Sequence, residues 1–281
     1  MNRSLLFIPG HKLEYIYKIK KFVSDIIVID FEDSVPINKK IIAFKKYLNF
    51  IKDNKKINSK LFLRLDYKRN KLPKNFYQYL NKKLNGVILP KIKDEKEVIK
   101  LHKLINFYQK KKKISTNFKI SLLIETPEAV INLKKIVNSS NKIDFIIYGE
   151  EDYHSEINCI NFENKLENSY AEDFIALVAK SKNIDAIYTP YLNINNQIGL
   201  KKHILKSVKK GYSGLLLIHP KQINLANKYY SPSKQDFLIA KKIINSNKFG
   251  KYEGQNISIL KKKLVGPPMI RRAIKILKNE N

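Results

Sequence analysis

Eight short apolar runs, each ending at polar residues, recur along the chain: Ser4–Ile8, Ile26–Asp30, Leu61–Leu65, Gly86–Leu89, Ser121–Glu125, Phe145–Tyr148, Ala186–Tyr188 and Gly214–Ile218. Their length and β-branched content read as strands. Between and after them, apolar residues return at helical spacing over Glu14–Val23, Ile37–Ile51, Asn75–Leu84, Glu95–Gln109, Glu128–Val137, Ser169–Ser181, Ile198–Lys210 and Gln222–Lys228, continued by Lys234–Ile244. Strands that are apolar almost throughout have both faces buried, which is the signature of parallel pairing under a layer of helices. Eight such units in about 240 residues predict an α/β fold closed as a (βα)8 TIM barrel, with an open doubly wound sheet as the alternative. The open sheet loses ground because no glycine-rich phosphate loop follows any strand; Gly149-Glu150-Glu151-Asp152 lacks the glycines of a dinucleotide fingerprint.

No linker interrupts the barrel pattern, so the sequence predicts a catalytic barrel over 1–247. Beyond it, Lys251–Lys263 is polar and basic, Gly266-Pro267-Pro268 breaks the chain, and Met269–Leu277 resumes helical spacing. Residues 248–281 are therefore expected to form a C-terminal extension that packs on the barrel or on a neighbouring subunit. Runs such as Leu215-Leu216-Leu217-Ile218 fall far short of the roughly 18 residues of a membrane span, and four apolar residues before Pro9-Gly10 are too few for a signal peptide. A cytoplasmic protein is expected.

Composition changes this picture little. The 281 residues carry 55 Lys+Arg against 25 Asp+Glu, a formal charge of +30, which raises the question of nucleic acid. Arginine, the residue of bidentate base recognition, occurs only at 3, 64, 69, 271 and 272. Abundant lysine beside abundant Ile and Asn reads as compositional drift, and runs such as Lys110–Lys113 read as solvated surface. No nucleic-acid partner is expected, although the lysines can draw in anionic substrates. The single cysteine, Cys159, excludes an internal disulfide and is expected to be a small buried hydrophobe.

Catalytic groups of a βα barrel sit where strands give way to loops on the C-terminal face. That filter selects Asp30, Glu32 and Asp33 after the second strand, Arg64 at the end of the third, Lys91 after the fourth, Glu125 after the fifth, Glu151 and Asp152 after the sixth and His219 after the eighth. Glu125 and Asp152, at neighbouring strand ends, suit a shared Mg²⁺, which takes one or two carboxylates and completes its shell with water or substrate oxygens. Salt bridges to Arg64 or Lys91 are the competing reading. Arg64 suits a substrate carboxylate, or else a structural ion pair with Asp30 or Glu32. Asp30 and Asp33 can orient Arg64 or metal-bound water, and Asp33 can equally cap the next helix. His219 reads as a packing or hydrogen-bonding residue, and His11, His102, His154 and His203 show no metal-ligand spacing.

The motifs Arg3–Gly10, Ile29–Val35, Leu63-Arg64-Leu65, Val87–Lys91, Leu123–Thr126, Gly149–Asp152 and Ile218–Ile223 occur in register along nearly the whole chain. Together they resemble the citrate lyase β-subunit-like branch of the HpcH/HpaI aldolase superfamily. The resemblance implies a (βα)8 barrel holding Mg²⁺ through Glu125 and Asp152, with Arg64 on a substrate carboxylate or carbonyl oxygen. It further implies a carbon–carbon lyase or aldolase acting, through a metal-stabilised enolate, on a 2-oxo acid or a β-hydroxy acyl compound, with or without CoA as part of the substrate, in a homotrimer or hexamer. Taken with the reading of the strand ends, the expected roles are catalytic for Arg64, Asp30 and Asp33 and substrate-binding for Arg64 and Glu125. Three positions depart from that pattern: Ser169–Asp173 lacks the usual Arg, Leu215 replaces a usual Lys, and Gly266 stands where relatives carry an Asp implicated in acid/base work on CoA thioesters. A barrel that has lost catalysis and survives as a binding or structural subunit is the alternative.

Overall fold

The computed structural model describes residues 2–18, 23–53, 57–67, 71–112, 117–159, 169–250, 258–260 and 263–278. Eight parallel strands close into a barrel: β1 (Ser4–Pro9), β2 (Ile26–Asp30), β3 (Lys60–Arg64), β4 (Gly86–Leu89), β5 (Lys119–Ile124), β6 (Ile143–Tyr148), β7 (Asp185–Tyr188) and β8 (Gly214–Leu217). Each pairs with its sequence neighbours, and β1 pairs with β8. The protein is thus a TIM barrel.

Two side-chain parities explain the unbroken apolar runs. Leu5, Ile26, Val28, Phe62, Ile88, Leu123, Phe145, Ile147, Ile187 and Leu216, with Phe7 against them, form one cluster drawn from all eight strands. That cluster is the barrel interior. Phe62 and Phe145 fill its middle at 5.0 Å between ring centroids. Gly86 makes room for them, since a Cβ there would lie 2.5 Å from the Phe62 ring. Residues of the opposite parity, such as Ile27, Ile29, Leu61, Leu63, Ile146 and Leu217, are equally buried, under the helices.

The helices follow the expected spacing, with local exceptions: of the expected Glu14–Val23, only Tyr15–Lys18 is helical among the described residues, and 19–22 lie outside them. The expected helix Glu128–Val137 divides at Asn132 into Pro127–Ile131 and Leu133–Asn138, and the Asn132 side-chain Nδ2 donates to the Lys93 carbonyl at 3.1 Å. The expected helix Asn75–Leu84 shrinks to Phe76–Tyr79, because the Asn81 side chain bonds the Tyr79 carbonyl and the Lys83 amide and turns the chain. A helix that periodicity does not reveal, Glu150–Glu156, follows β6 and carries Asp152 in its first turn. Cys159 is half-buried rather than buried.

The chain forms two compact units, Met1–Asn227 and Lys228–Asn281. Within the second, helix Lys234–Gly250, an antiparallel hairpin of β9 (Ser258–Leu260) and β10 (Lys263–Val265), and helix Pro267–Leu277 surround a small core of Ala240, Ile243, Val265 and Ala273. Of the stretch Lys251–Lys263, read from sequence as polar and basic, Ser258–Leu260 and Lys263 lie in these strands, and 251–257 and 261–262 lie outside the described residues. Gly266-Pro267 opens the last helix rather than merely breaking the chain, as suits Pro in a first turn. Among the described residues no helix is long and apolar enough to cross a membrane.

Candidate active site

Continuing the interior parity by two residues past Val28, Phe62 and Leu123 brings Asp30, Arg64 and Glu125 to the C-terminal mouth of the barrel. Asp30 and Arg64 are register partners on β2 and β3. Their side chains meet in a bidentate pair, Nε to Oδ1 and Nη2 to Oδ2, each at 2.6 Å. The same Asp30 carboxylate accepts the Glu32 amide at 2.9 Å and the Ser34 amide at 3.3 Å, folding the loop back over the mouth. Glu32 thereby reaches Arg64 Nη1 at 3.0 Å, an ion pair without hydrogen-bond alignment, and Lys91 Nζ at 3.0 Å. Lys40 secures the loop by donating to the Phe31 and Glu32 carbonyls.

The electrostatics follow from burial. Burial alone would raise the Asp30 carboxyl, but the Arg64 guanidinium outweighs it and holds Asp30 below the usual carboxylate range. Glu32 is raised, because burial exceeds what Arg64 and Lys91 return. Glu125, 1% exposed, is pushed well above the ordinary range, by burial first and then by the charges of Asp152 and Glu32. Its Oε1 accepts the Lys91 amide at 2.6 Å, while its Oε2 is buried without a partner. Gly149, after β6, leaves room for this carboxylate: a Cβ there would stand 2.6 Å from Glu125 Cβ and 2.9 Å from Oε2.

An orphaned carboxylate oxygen beside a second carboxylate fits a hard divalent cation, which would relieve the repulsion that now favours protonation. Among the described residues no group of three or more His, Cys, Asp or Glu is disposed to hold a metal. Two carboxylates, Glu125 and Asp152, are a donor set that fits Mg²⁺, with its usual demand for one or two carboxylates.

Other sequence-selected residues fall into place around this centre. Asp33 does not cap the next helix; Pro36 occupies that position, and Asp33 pairs with Lys91 at 3.2 Å. Asp152 lies 3.9 Å from Lys91 Nζ. His219 accepts the Lys221 amide and completes a capping box with Gln222, a structural role. Glu32 and Lys91, selected only by their places at strand ends, prove to be the links between Arg64 and the Glu125 side; the signal that could have found them is the density of charge after two neighbouring apolar strands. A cavity of about 480 Å³ opens between the ends of β1 and β8, lined by Phe7, Lys12, Tyr15, Lys18 and His219 among others.

The sequence matches the HpcH/HpaI aldolase/citrate lyase family over residues 3–220. It is 25% identical to the citrate lyase subunit beta of Leuconostoc mesenteroides subsp. cremoris, over 100% of this chain and 94% of that protein. It is 23% identical to the mitochondrial citramalyl-CoA lyase of Homo sapiens, over 97% and 83% respectively. A citrate lyase structure from Burkholderia xenovorans LB400 superposes with a TM-score of 0.86 at 13% identity, covering 99% of this chain and 91% of that one. The protein CitE from Mycobacterium tuberculosis, solved with magnesium, acetoacetate and coenzyme A, superposes with a TM-score of 0.78 at 18% identity over 98% and 97%. With a match spanning most of the sequence, the chain belongs to the HpcH/HpaI aldolase/citrate lyase family.

Proposed function

We propose that the chain is a magnesium-dependent carbon–carbon lyase acting on a 2-oxo acid or a β-hydroxy acyl substrate. The observation that carries this reading is the buried, unpartnered Oε2 of Glu125 in a barrel mouth that also holds Asp152 and Arg64. When bound by Glu125 and Asp152, Mg²⁺ supplies Lewis-acid polarisation of a substrate carbonyl. Arg64 gives the complementary charge. Asp30 and Glu32 engage three of its five N–H groups at most, so at least two remain to bind a substrate carboxylate or carbonyl oxygen. Asp30 orients the guanidinium, and Asp33 acts from further out, through Lys91. Lys12 and Lys18, in the cavity beside the mouth, suit the phosphates of an acyl-CoA, and the relatives named for citrate and citramalyl-CoA cleavage support a substrate of this class.

The test is calorimetry with oxaloacetate, pyruvate, acetyl-CoA and malyl-CoA, with and without Mg²⁺. A 2-oxo acid or acyl-CoA is expected to bind only with the metal, and Glu125→Ala and Asp152→Ala to abolish that dependence. Parent-like binding by both variants would place the metal elsewhere. A second reading, a barrel retained for binding alone, is favoured by the tight hold of Asp30 and Glu32 on Arg64 and by Gly266, which offers no side chain for proton transfer. Metal-dependent binding without any carbon–carbon cleavage would select it.

A further inference from the structure

Lys91 is in an unusual position twice over. Its backbone has φ +52°, and the other non-glycine residues with positive φ among those described are both asparagines, which tolerate that region far better than lysine. The left-handed turn points the Lys91 amide at Glu125 Oε1. Its side chain then reaches Glu32 at 3.0 Å, Asp33 at 3.2 Å and Asp152 at 3.9 Å. One residue thus fixes one oxygen of Glu125, leaving the other bare, and sets a positive charge against Asp152. Asp30, Glu32, Asp33, Glu125 and Asp152 share the mouth with only Arg64 and Lys91 as its counter-charges in these contacts. This local excess of anions stands within a chain of net charge +30.

We propose that the Lys91 ammonium is a resident counter-cation of the metal-free site, which competes with Mg²⁺ for Asp152 while the Lys91 amide positions Glu125 to receive the ion. The inference rests on the reading of Glu125 and Asp152 as metal ligands. Two like charges cannot crowd one carboxylate without repulsion, so ion binding drives the ammonium from Asp152 toward Glu32 and Asp33. The Lys91 side chain is 39% exposed, and its amine, 3.9 Å from Asp152, is already nearer Glu32 at 3.0 Å and Asp33 at 3.2 Å. The arrangement holds the carboxylates together without metal and weakens the site's affinity for it.

The test measures Mg²⁺ affinity by calorimetry at low ionic strength in the parent, Lys91→Met, Lys91→Gln and Lys91→Arg, with thermal unfolding in EDTA and in Mg²⁺. Lys91→Met and Lys91→Gln keep the backbone amide but lose the charge. Both are expected to bind Mg²⁺ about tenfold more tightly than the parent, to melt lower in EDTA, and to gain more from added metal. Lys91→Arg keeps the charge and is expected to stay within about threefold of the parent. A merely structural lysine would weaken or leave unchanged the metal affinity on removal, and that result in whichever neutral variant folds overturns the proposal. Loss of Mg²⁺ binding in Glu125→Ala and Asp152→Ala alongside that result confines the failure to Lys91. Parent-like binding in those two variants instead removes the metal-site reading, and this inference with it.

Discussion

Asp30 and Arg64 are neighbours twice, once as register partners in the backbone ladder of β2 and β3 and again through two side-chain contacts of 2.6 Å. The strands that place them also fix their separation, so the guanidinium is held in plane before any ligand arrives. Asp30 is 1% exposed and Glu32 4%, so removing the cation strands two buried acids. Arg64→Met is expected to destabilise the fold by about 3–5 kcal/mol in denaturant unfolding.

Arg64→Lys separates charge from geometry. A point ammonium cannot reproduce the planar fork, and carboxylate ligands are expected to bind about tenfold or more weakly while Mg²⁺ affinity changes little. Unchanged carboxylate affinity in a titration would assign Arg64 to structure alone.

At the opposite end of the strands, Asp25 accepts the Arg3 amide at 2.8 Å, its Nε at 2.9 Å and its Nη2 at 2.7 Å. Burial opposes ionisation there, but these bonds prevail and Asp25 is lowered from its ordinary value. A carboxyl lowered in the folded state contributes stability that is present above its unfolded value, about 3.9, and is lost as pH falls through the folded one. Asp25→Asn is therefore expected to cost about 2 kcal/mol at neutral pH, with the gap from the parent closing in acid below about pH 3.9. A gap independent of pH in unfolding curves would assign the loss to packing.

Thr126 joins the Glu125 end of the fifth strand to the helix that follows. Its hydroxyl donates to the Ile92 carbonyl at 3.0 Å and accepts the Ala129 amide at 3.1 Å, capping helix Pro127–Ile131 from a buried position. Thr126→Ala is expected to lose about 1–2 kcal/mol, and Thr126→Ser to keep most of it. Equal losses in the two variants would shift the weight to the threonine methyl.

All eight strands were legible because burial on both faces writes itself as unbroken apolar runs, and Ile26–Asp30 and Gly86–Leu89 agree with the structure to the residue. Asp30, Arg64 and Glu125 could be singled out since a carboxylate or guanidinium closing such a run has few places to go, and Asp152 because it follows the end of the sixth run within four residues. What periodicity could not report is pairing that depends on irregular backbone. Glu32 reaches Arg64 only because Asp30 folds its loop, and Lys91 reaches Glu125 only through a left-handed turn. Helix Glu150–Glu156 was hidden because its first turn is three acids, which announce charge and no apolar stripe. Asn81 and Asn132 ended helices by side-chain bonds to backbone, a competition that apolar spacing does not record.

Gly149 carries a consequence for how this sequence can change with time. The chain keeps only nine glycines, in a composition rich in lysine, isoleucine and asparagine, whose codons are poor in G and C. At position 149 every replacement brings a Cβ that would stand 2.6 Å from Glu125 Cβ. Glycine at this position thus encodes an empty space, and a saturation library selected for folded protein should return glycine almost alone, although glycine itself performs none of the chemistry.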